Sequence, residues 1–228
     1  MKRMLWVLMA GAVLASGVAQ ATLISLDTLM TQKQEIRIGD KVFSDWGFSG
    51  EGPLTAAQID VDAEQVNDNV YNLYFRGPII AYNGQTLDYT LSYSVATASG
   101  KPLIVGIDQW FNLTAQGNTG IIGIGETVLD ANQRTVAQSS VGYVFGVTDQ
   151  EDPAGELIQG DQLVINPGLA KVWVTKDIAL KAAPGGMVGA TWLRQSFHQA
   201  NVPDGGATLA LLGMAMAGVA VVRRFMRG

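Results

Sequence analysis

Apolar and polar residues alternate with a period of two along most of the middle of the chain. The clearest run is Leu87–Val95, in which Leu, Tyr and Val alternate with Asp, Thr and Ser. This alternation predicts a β-strand with one buried face. Similar runs predict strands at Lys41–Trp46, Gln58–Ala63, Val70–Arg76, Ile79–Tyr82, Leu103–Leu113, Val136–Val147, Gln162–Ile165, Ala170–Leu180 and Met187–Phe197. About ten strands without helical periodicity predict an all-β fold, an antiparallel β-sandwich of jelly-roll-like type.

Turn-forming residues separate these runs. Asn83-Gly84 lies between Ile79–Tyr82 and Leu87–Val95, and Asn-Gly accepts the positive φ angles of a two-residue turn. We therefore expect a tight β-hairpin at this point. Clusters of Gly, Pro and acidic residues predict breaks at Gly47–Pro53, Ala98–Pro102, Asp149–Gly155 and Pro184–Gly186.

The N-terminus has the pattern of a secretory signal peptide. Lys2 and Arg3 precede the apolar stretch Met4–Val18, and Ala19-Gln20-Ala21 then supplies an A-x-A cleavage pattern. We expect signal peptidase to cut after Ala21, so that residues 1–21 are removed. The alternative is an uncleaved membrane anchor, which the short apolar stretch and the A-x-A pattern disfavour.

The C-terminus has the pattern of a membrane anchor. Ala207–Val222 carries no charge, and Arg223, Arg224 and Arg227 follow it. As a helix this stretch is about 24 Å long, somewhat shorter than a hydrocarbon core of about 30 Å. We expect a transmembrane helix whose arginines stop transfer and face the cytoplasm, with the middle of the chain outside. A helix buried in the protein core is the alternative, and the apolar surface on all sides disfavours it.

A short motif precedes this stretch. Val202-Pro203-Asp204-Gly205-Gly206 combines a fixed proline, a carboxylate and two flexible glycines. The order of motif, apolar helix and arginine cluster resembles the PEP-CTERM sorting signal of bacteria in its VPDSG-like variant, with Gly205 in place of Ser. The resemblance implies that an exosortase, a membrane-embedded enzyme, acts at or near the motif and releases the helix. Residues 22–201 then form the exported β-domain, and residues 202–228 form the sorting signal.

Charge and composition limit the partners of the β-domain. Residues 22–201 contain ten Lys and Arg and nineteen Asp and Glu residues, a net charge of −9. This charge repels nucleic acid and suits a solvated surface. Since the chain has no cysteine, disulfides, thiolate metal sites and a cysteine nucleophile are excluded. We expect no cofactor.

Candidate catalytic and metal-binding residues are few. The single histidine, His198, lies two residues from Ser196, but no nucleophile-elbow pattern surrounds the serine, so a surface histidine is the favoured interpretation. Asp60, Asp62 and Glu64 alternate and would share one face of a strand. They and the loop cluster Asp149, Glu151 and Asp152 are weak calcium candidates, and a solvated acidic surface is favoured for both.

Three other patterns have plain structural interpretations. Gly117, Gly120, Gly123 and Gly125 lack the order of a phosphate-binding loop, and we expect them at bulges or turns. Asn112-Leu113-Thr114 matches the N-glycosylation sequon. We give this match little weight, because the C-terminal sorting signal resembles a bacterial one. The tryptophans Trp46, Trp110, Trp173 and Trp192 are expected mainly in the core, although exposed ones would be able to stack on sugar rings.

These patterns together predict a non-enzymatic exported protein. Its expected partners are signal peptidase, an exosortase-type enzyme and the membrane, and its destination is the cell surface or the extracellular polysaccharide matrix of a biofilm. Retention at the membrane by the C-terminal helix precedes processing. The alternative is a carbohydrate-binding module, with extracellular polysaccharide as its ligand. A secreted hydrolase has less support, because no pair of catalytic carboxylates is recognisable from the sequence.

Overall fold

The computed structural model describes residues 23–117, 120–145 and 156–200. The predicted signal peptide, the predicted sorting signal with its helix, and the predicted acidic loop at 149–152 lie outside these residues. The described part contains thirteen strands, one short α-helix, α1 (Leu26–Thr31), and a 3-10 turn at Ala56–Gln58. The strands are β1 (Ile24–Ser25), β2 (Ile36–Ile38), β3 (Lys41–Glu51), β4 (Asp60–Asn67), β5 (Val70–Tyr82), β6 (Thr86–Thr97), β7 (Leu103–Gln116), β8 (Gly120–Leu129), β9 (Thr135–Phe145), β10 (Glu156–Ile158), β11 (Gly160–Leu169), β12 (Lys171–Ala182) and β13 (Met187–Ala200).

The strands form two antiparallel sheets. The six-stranded sheet has the order β1-β4-β5-β13-β7-β11, and the seven-stranded sheet has the order β10-β9-β8-β12-β6-β3-β2. The predicted all-β antiparallel sandwich is therefore confirmed. In the described residues no helix is long and apolar enough to cross a membrane.

The core lies between the two sheets, where the alternating side chains of both meet. The five apolar residues of the Leu87–Val95 run are all buried, each at most 6% exposed. Trp46 and Tyr93 stack there at 5.9 Å between ring centroids, and the Trp46 indole donates a hydrogen bond to the Gln34 carbonyl at 2.8 Å. Burial of these alternating apolar faces is what holds the sheets together.

The turn at Asn83-Gly84 is present, but the predicted hairpin is wrong. Both residues have positive φ, 43° and 83°, and the Gln85 N–H donates to the Tyr82 carbonyl at 2.9 Å. However, β5 pairs with β4 and β13, whereas β6 pairs with β12 and β3. The tight turn therefore carries the chain from one sheet to the other.

A second crossing turn, Ala183–Gly186 between β12 and β13, is bonded to the first. The Asn83 N–H donates to the Gly186 carbonyl at 2.8 Å, and the Asn83 Oδ1 accepts from the Gly185 N–H at 2.8 Å. These hydrogen bonds hold the two crossing turns together at the same end of the sandwich.

Strand β8 was not predicted from the sequence because of its glycines. Gly120, Gly123 and Gly125 lie in unbroken antiparallel register with both β9 and β12. The expectation of bulges or turns is therefore wrong for these three and right for Gly117, whose φ is +86°. At Gly120 a side chain has no room, because an added Cβ would lie 2.7 Å from the Val188 Cβ on the opposite sheet.

Candidate functional site

The outer face of the six-stranded sheet carries a row of aromatic and charged side chains. Register places Asp62 beside Tyr74, Tyr74 beside Arg194, Arg194 beside Trp110, and Trp110 beside Gly160, on five adjacent strands from β4 to β11. We call these five residues the central row. Alternation along the strands directs their side chains away from the sandwich core.

Trp110 is the most exposed tryptophan of the described residues, at 40%. Its ring extends across the neighbouring strand over Gly160, where an added Cβ would lie only 2.4 Å from the ring atom Cε3. The absence of a side chain at Gly160 therefore makes room for the ring to lie against the sheet. The predicted core position is wrong for Trp110, and it is correct for Trp46, which is 9% exposed.

Trp192, on β13, is held by an irregularity in that strand. The register of β13 with β7 shifts between Ala190 and Leu193, which leaves backbone donors without strand partners. The Asn112 side-chain oxygen accepts from the N–H groups of Thr191 at 2.9 Å and Trp192 at 2.8 Å. Trp192 is half-buried and packs edge-on to Tyr74, with 6.3 Å between centroids. The sequon asparagine thus has a structural role as the support for Trp192.

Arg194 has no hydrogen bond or ion pair to any described residue. Its guanidinium carbon lies 5.9 Å from the centroid of the Trp110 ring, which is a weak cation–π distance, and its Nε is buried without a hydrogen-bond partner. By contrast, the neighbouring Arg76 pairs with Asp62 at 3.3 Å and lies over the Tyr74 ring at 4.5 Å. The two terminal nitrogens of Arg194 therefore have no partner among the described residues, on a face where the neighbouring arginine is already paired.

Hydrogen bonds fix the polar residues next to the central row. The Tyr74 hydroxyl donates to Glu64 at 2.9 Å, and the Asn72 amide donates to the same carboxylate oxygen at 2.7 Å. Burial raises the pKa of Tyr74, and the hydrogen bond to Glu64 raises it further. Asp60, Asp62 and Glu64 share the outer side of β4, as the sequence predicted. Among the described residues no group of three or more His, Asp or Glu side chains is arranged to hold a metal ion, and calcium binding stays a prediction.

His198 pairs with an acid rather than with the nearby serine. Its Nε2 lies 2.6 Å from Asp108 Oδ2, and both side chains are about one-third exposed, at 32% and 30%. The Ser196 hydroxyl donates to Asn72 Oδ1 at 2.8 Å instead. The two candidate residues therefore lie on the same strand face without forming the serine–histidine contact of a hydrolase.

On the outer face of the seven-stranded sheet, the described residues include one tryptophan. Trp173 on β12 is half-buried, and the Lys171 ammonium lies 4.5 Å from its ring centroid. Lys171 is itself paired with Asp45 at 2.9 Å, a contact that lowers the pKa of Asp45. Of the four tryptophans in the described residues, Trp110 and Trp192 therefore share one face, where they have Tyr74 and an unpaired arginine beside them.

A polar network inside the sandwich was not predicted. The Lys176 ammonium donates to Glu126 at 2.6 Å and to Gln109 at 2.9 Å, and the Gln195 amide donates to Glu126 at 3.2 Å. The sequence does indicate a buried lysine, because Lys176 occupies an inward position between Val174 and Ile178 in the alternation of β12. This network connects the two sheets through their buried faces.

Comparison with known proteins identifies the C-terminal signal. Residues 201–226 match the VPDSG-CTERM motif, which confirms the sorting signal predicted from Val202–Gly206 and the residues after it. This signal implies an exported, surface-associated protein. Among curated proteins no significant match was found.

Several solved structures have a distant likeness to the chain. TmCBM61 in complex with β-1,4-galactotriose is 14% identical, with 68% of this chain and 89% of that chain covered and a TM-score of 0.32. TmCBM27, a carbohydrate-binding module described for specific mannan recognition, is 8% identical over 82% of this chain and all of that chain, with a TM-score of 0.33. The Gap123 glycosylation-associated complex from Streptococcus agalactiae is 15% identical, with 75% of this chain but 28% of that chain covered and a TM-score of 0.29. At these scores none of the three carries an argument about function.

Proposed function

We propose that this chain is an exported, non-enzymatic protein that an exosortase processes and delivers to the cell surface or the extracellular polysaccharide matrix. The observation that carries the proposal is the VPDSG-CTERM motif at residues 201–226. The signal-peptide pattern of residues 1–21 supports it independently, because export is a precondition for sorting at the outer side of the membrane.

The order of events follows from the two ends. Signal peptidase cuts after Ala21, and the helix Ala207–Val222 then holds the β-domain at the membrane, with Arg223, Arg224 and Arg227 on the cytoplasmic side. An exosortase next cuts at or near Val202–Gly206. The last described strand, β13, ends at Ala200, so a cut in the motif removes no residue of the sandwich.

The β-domain between residues 22 and 201 acts by binding or structure rather than by catalysis. Its strand order supports a jelly roll, since the central strands alternate between the two sheets and the chain crosses at both bonded turns. Ser196 bonds to Asn72 and His198 pairs with Asp108, so the two do not form the serine–histidine contact of a hydrolase. This supports the assignment as a non-enzymatic protein.

A double substitution in the motif tests the sorting step. In a cell that carries the exosortase, the variant Pro203→Ala with Asp204→Asn is expected to stay in the membrane fraction, while the unchanged protein is released from it. The matched control is Pro184→Ala, which changes an exposed proline in the β12–β13 turn and is expected to be released normally. Equal release of all three proteins would contradict the proposal.

Carbohydrate binding is the second candidate function, and one observation favours it. The outer face of the six-stranded sheet leaves Trp110 40% exposed, and sugar rings stack on such aromatic surfaces. Retardation of the protein in native gels that contain polysaccharide tests this function. An unchanged mobility across chemically diverse glycans would count against it.

A further inference from the structure

Three aromatic rings lie close together on adjacent strands of the outer face of the six-stranded sheet, with Trp192 edge-on to Tyr74. Tyr74 and Trp110 occupy the same register position on β5 and β7, with Arg194 of β13 between them. Trp192 lies two residues along β13 from Arg194, so its Cα is a diagonal neighbour of the other two at about 7–8 Å. One extended glycan that crosses these strands would therefore be able to contact more than one ring.

Polar groups of the kinds that bond to sugar hydroxyls lie beside these rings. The terminal nitrogens of Arg194 supply N–H donors that no described residue uses, whereas its Nε is buried. Asp62 and Asp108 place two further carboxylates on this face, paired with Arg76 and His198 respectively and each partly exposed. A pyranose ring presents an apolar C–H face for stacking and a rim of hydroxyls that both donate and accept, so it matches rings flanked by a guanidinium and carboxylates.

Charge selects the class of glycan. Arg194 is the single unpaired cation of the central row, and the β-domain carries a net charge of −9. A polyanionic chain would be repelled by this field and by the carboxylates beside Arg194. An uncharged chain has no such penalty and still uses the donors and acceptors of the face.

We propose that the outer face of the six-stranded sheet binds a single chain of neutral polysaccharide across β5, β13 and β7. Trp110 stacks on a sugar ring, Arg194 donates to sugar hydroxyls, and Trp192, positioned by Asn112, supports a neighbouring sugar. This inference rests on the second candidate function and is independent of the sorting step.

The experiment uses the full chain in a polyoxyethylene detergent, because detergents with sugar headgroups would compete for the site. Native gels contain a soluble β-glucan, a galactan, a mannan or the acidic polymer polygalacturonate. Trp110→Ala removes the stacking ring, and Arg194→Gln removes the charge but keeps an amide donor. Trp173→Ala is the matched control, since Trp173 is a partly exposed ring with a cation over it on the opposite sheet. Thermal unfolding midpoints establish that each variant is folded.

The expected result is retardation of the unchanged protein by at least one neutral polymer. Trp110→Ala is expected to weaken binding about tenfold or more, and Arg194→Gln to weaken it less, while Trp173→Ala binds normally. If Trp110→Ala is unfolded, the affinities of Arg194→Gln and Trp173→Ala are compared instead, and weaker binding by Arg194→Gln supports the site.

Three results would overturn the proposal. Binding of polygalacturonate alone would exclude the neutral class. A loss in Trp173→Ala equal to that in the outer-face variants would exclude the site. Absence of binding to every polymer would exclude both the site and the second candidate function, while release of the protein by the exosortase would remain intact as a separate observation.

Discussion

Lys176 and Glu126 form an ion pair of 2.6 Å inside the sandwich, where the two side chains are 1% and 0% exposed. They are cross-strand partners on β12 and β8, and the glutamines Gln109 and Gln195 are partners on β7 and β13 of the opposite sheet. Hydrogen bonds join the two pairs across the interior. The charges are thus compensated within the core, and each member depends on the others.

Removing the cation alone is expected to destabilise the protein strongly. Lys176→Met leaves the buried Glu126 carboxylate without its cation, which typically costs about 3–5 kcal/mol in the free energy of unfolding. The double variant Lys176→Met with Glu126→Leu removes both charges, so we expect it to be much closer to the unchanged protein. Urea unfolding of the three proteins measures this difference. Equal losses in the single and the double variant would show that the pair is not coupled.

The same lysine is expected to make stability depend on alkaline pH. Burial lowers the pKa of Lys176, although the Glu126 charge opposes the shift. Between this lowered pKa and about 10.4, the value of an exposed lysine, the unfolded chain binds more protons than the folded protein. The free energy of unfolding therefore gains a rising contribution from Lys176 as the pH increases through that window.

Comparison with Lys176→Met isolates this contribution. Burial also lowers the pKa of Lys41, and it raises the pKa of Tyr93, which acts in the opposite direction above about pH 10. Because Lys41 and Tyr93 are present in both proteins, their contributions to the free energy of unfolding cancel when the two curves are subtracted. Urea unfolding at several pH values from 8 to 10 is expected to give a steeper rise for the unchanged protein. Parallel curves would contradict the assignment.

Gly84 in the crossing turn and Gly123 in strand β8 form a matched pair for glycine substitution. An added Cβ meets nothing within 4 Å at either Gly84 or Gly123, but only Gly84 has a left-handed φ, +83°. Gly84→Ala is expected to destabilise the protein by about 1 kcal/mol, whereas Gly123→Ala is expected to be neutral or slightly stabilising. Thermal unfolding of both variants provides the measurement. A loss of the same size at Gly123 would mean that backbone conformation is not the cause.

Asn112 is expected to stabilise the strand irregularity beneath Trp192. Asn112→Ala removes the acceptor for two backbone N–H groups and should lower the free energy of unfolding by about 1–2 kcal/mol. Asn112→Asp keeps the accepting oxygen and loses only the donor to the Thr191 hydroxyl, so we expect a smaller effect. Urea unfolding followed by tryptophan fluorescence measures the stability of each variant. Identical effects of the two substitutions would contradict the role of the oxygen.

The alternating strands were predictable because one face of each is buried and the other is wet. Leu87–Val95 shows this directly, since every apolar residue of the run lies in the core. Strand β8 was not predictable in the same way, because glycine adds nothing to an apolar–polar alternation. At Gly120 close packing against the other sheet requires glycine, but the sequence pattern does not show this. The sequence also indicated a turn at Asn83-Gly84, but a local pattern does not determine which strands pair across a sandwich.

The candidate site depended on long-range register and was less predictable still. Trp110, Arg194 and Tyr74 are far apart in sequence and become neighbours only through the pairing of β5, β13 and β7. The sequence analysis favoured a core position for Trp110 and did not predict that the three residues share a face. The sorting signal was recognisable from the sequence, because its motif, apolar stretch and arginines are contiguous.

The intact mass of the mature protein isolated from cells that carry the exosortase tests the central claim most directly. The expected mass lacks residues 1–21 and also lacks the apolar stretch Ala207–Val222 with its arginine tail, because each end is cut by its own enzyme. A mass that still includes the complete C-terminal segment through Gly228 would contradict processing at the VPDSG-CTERM motif.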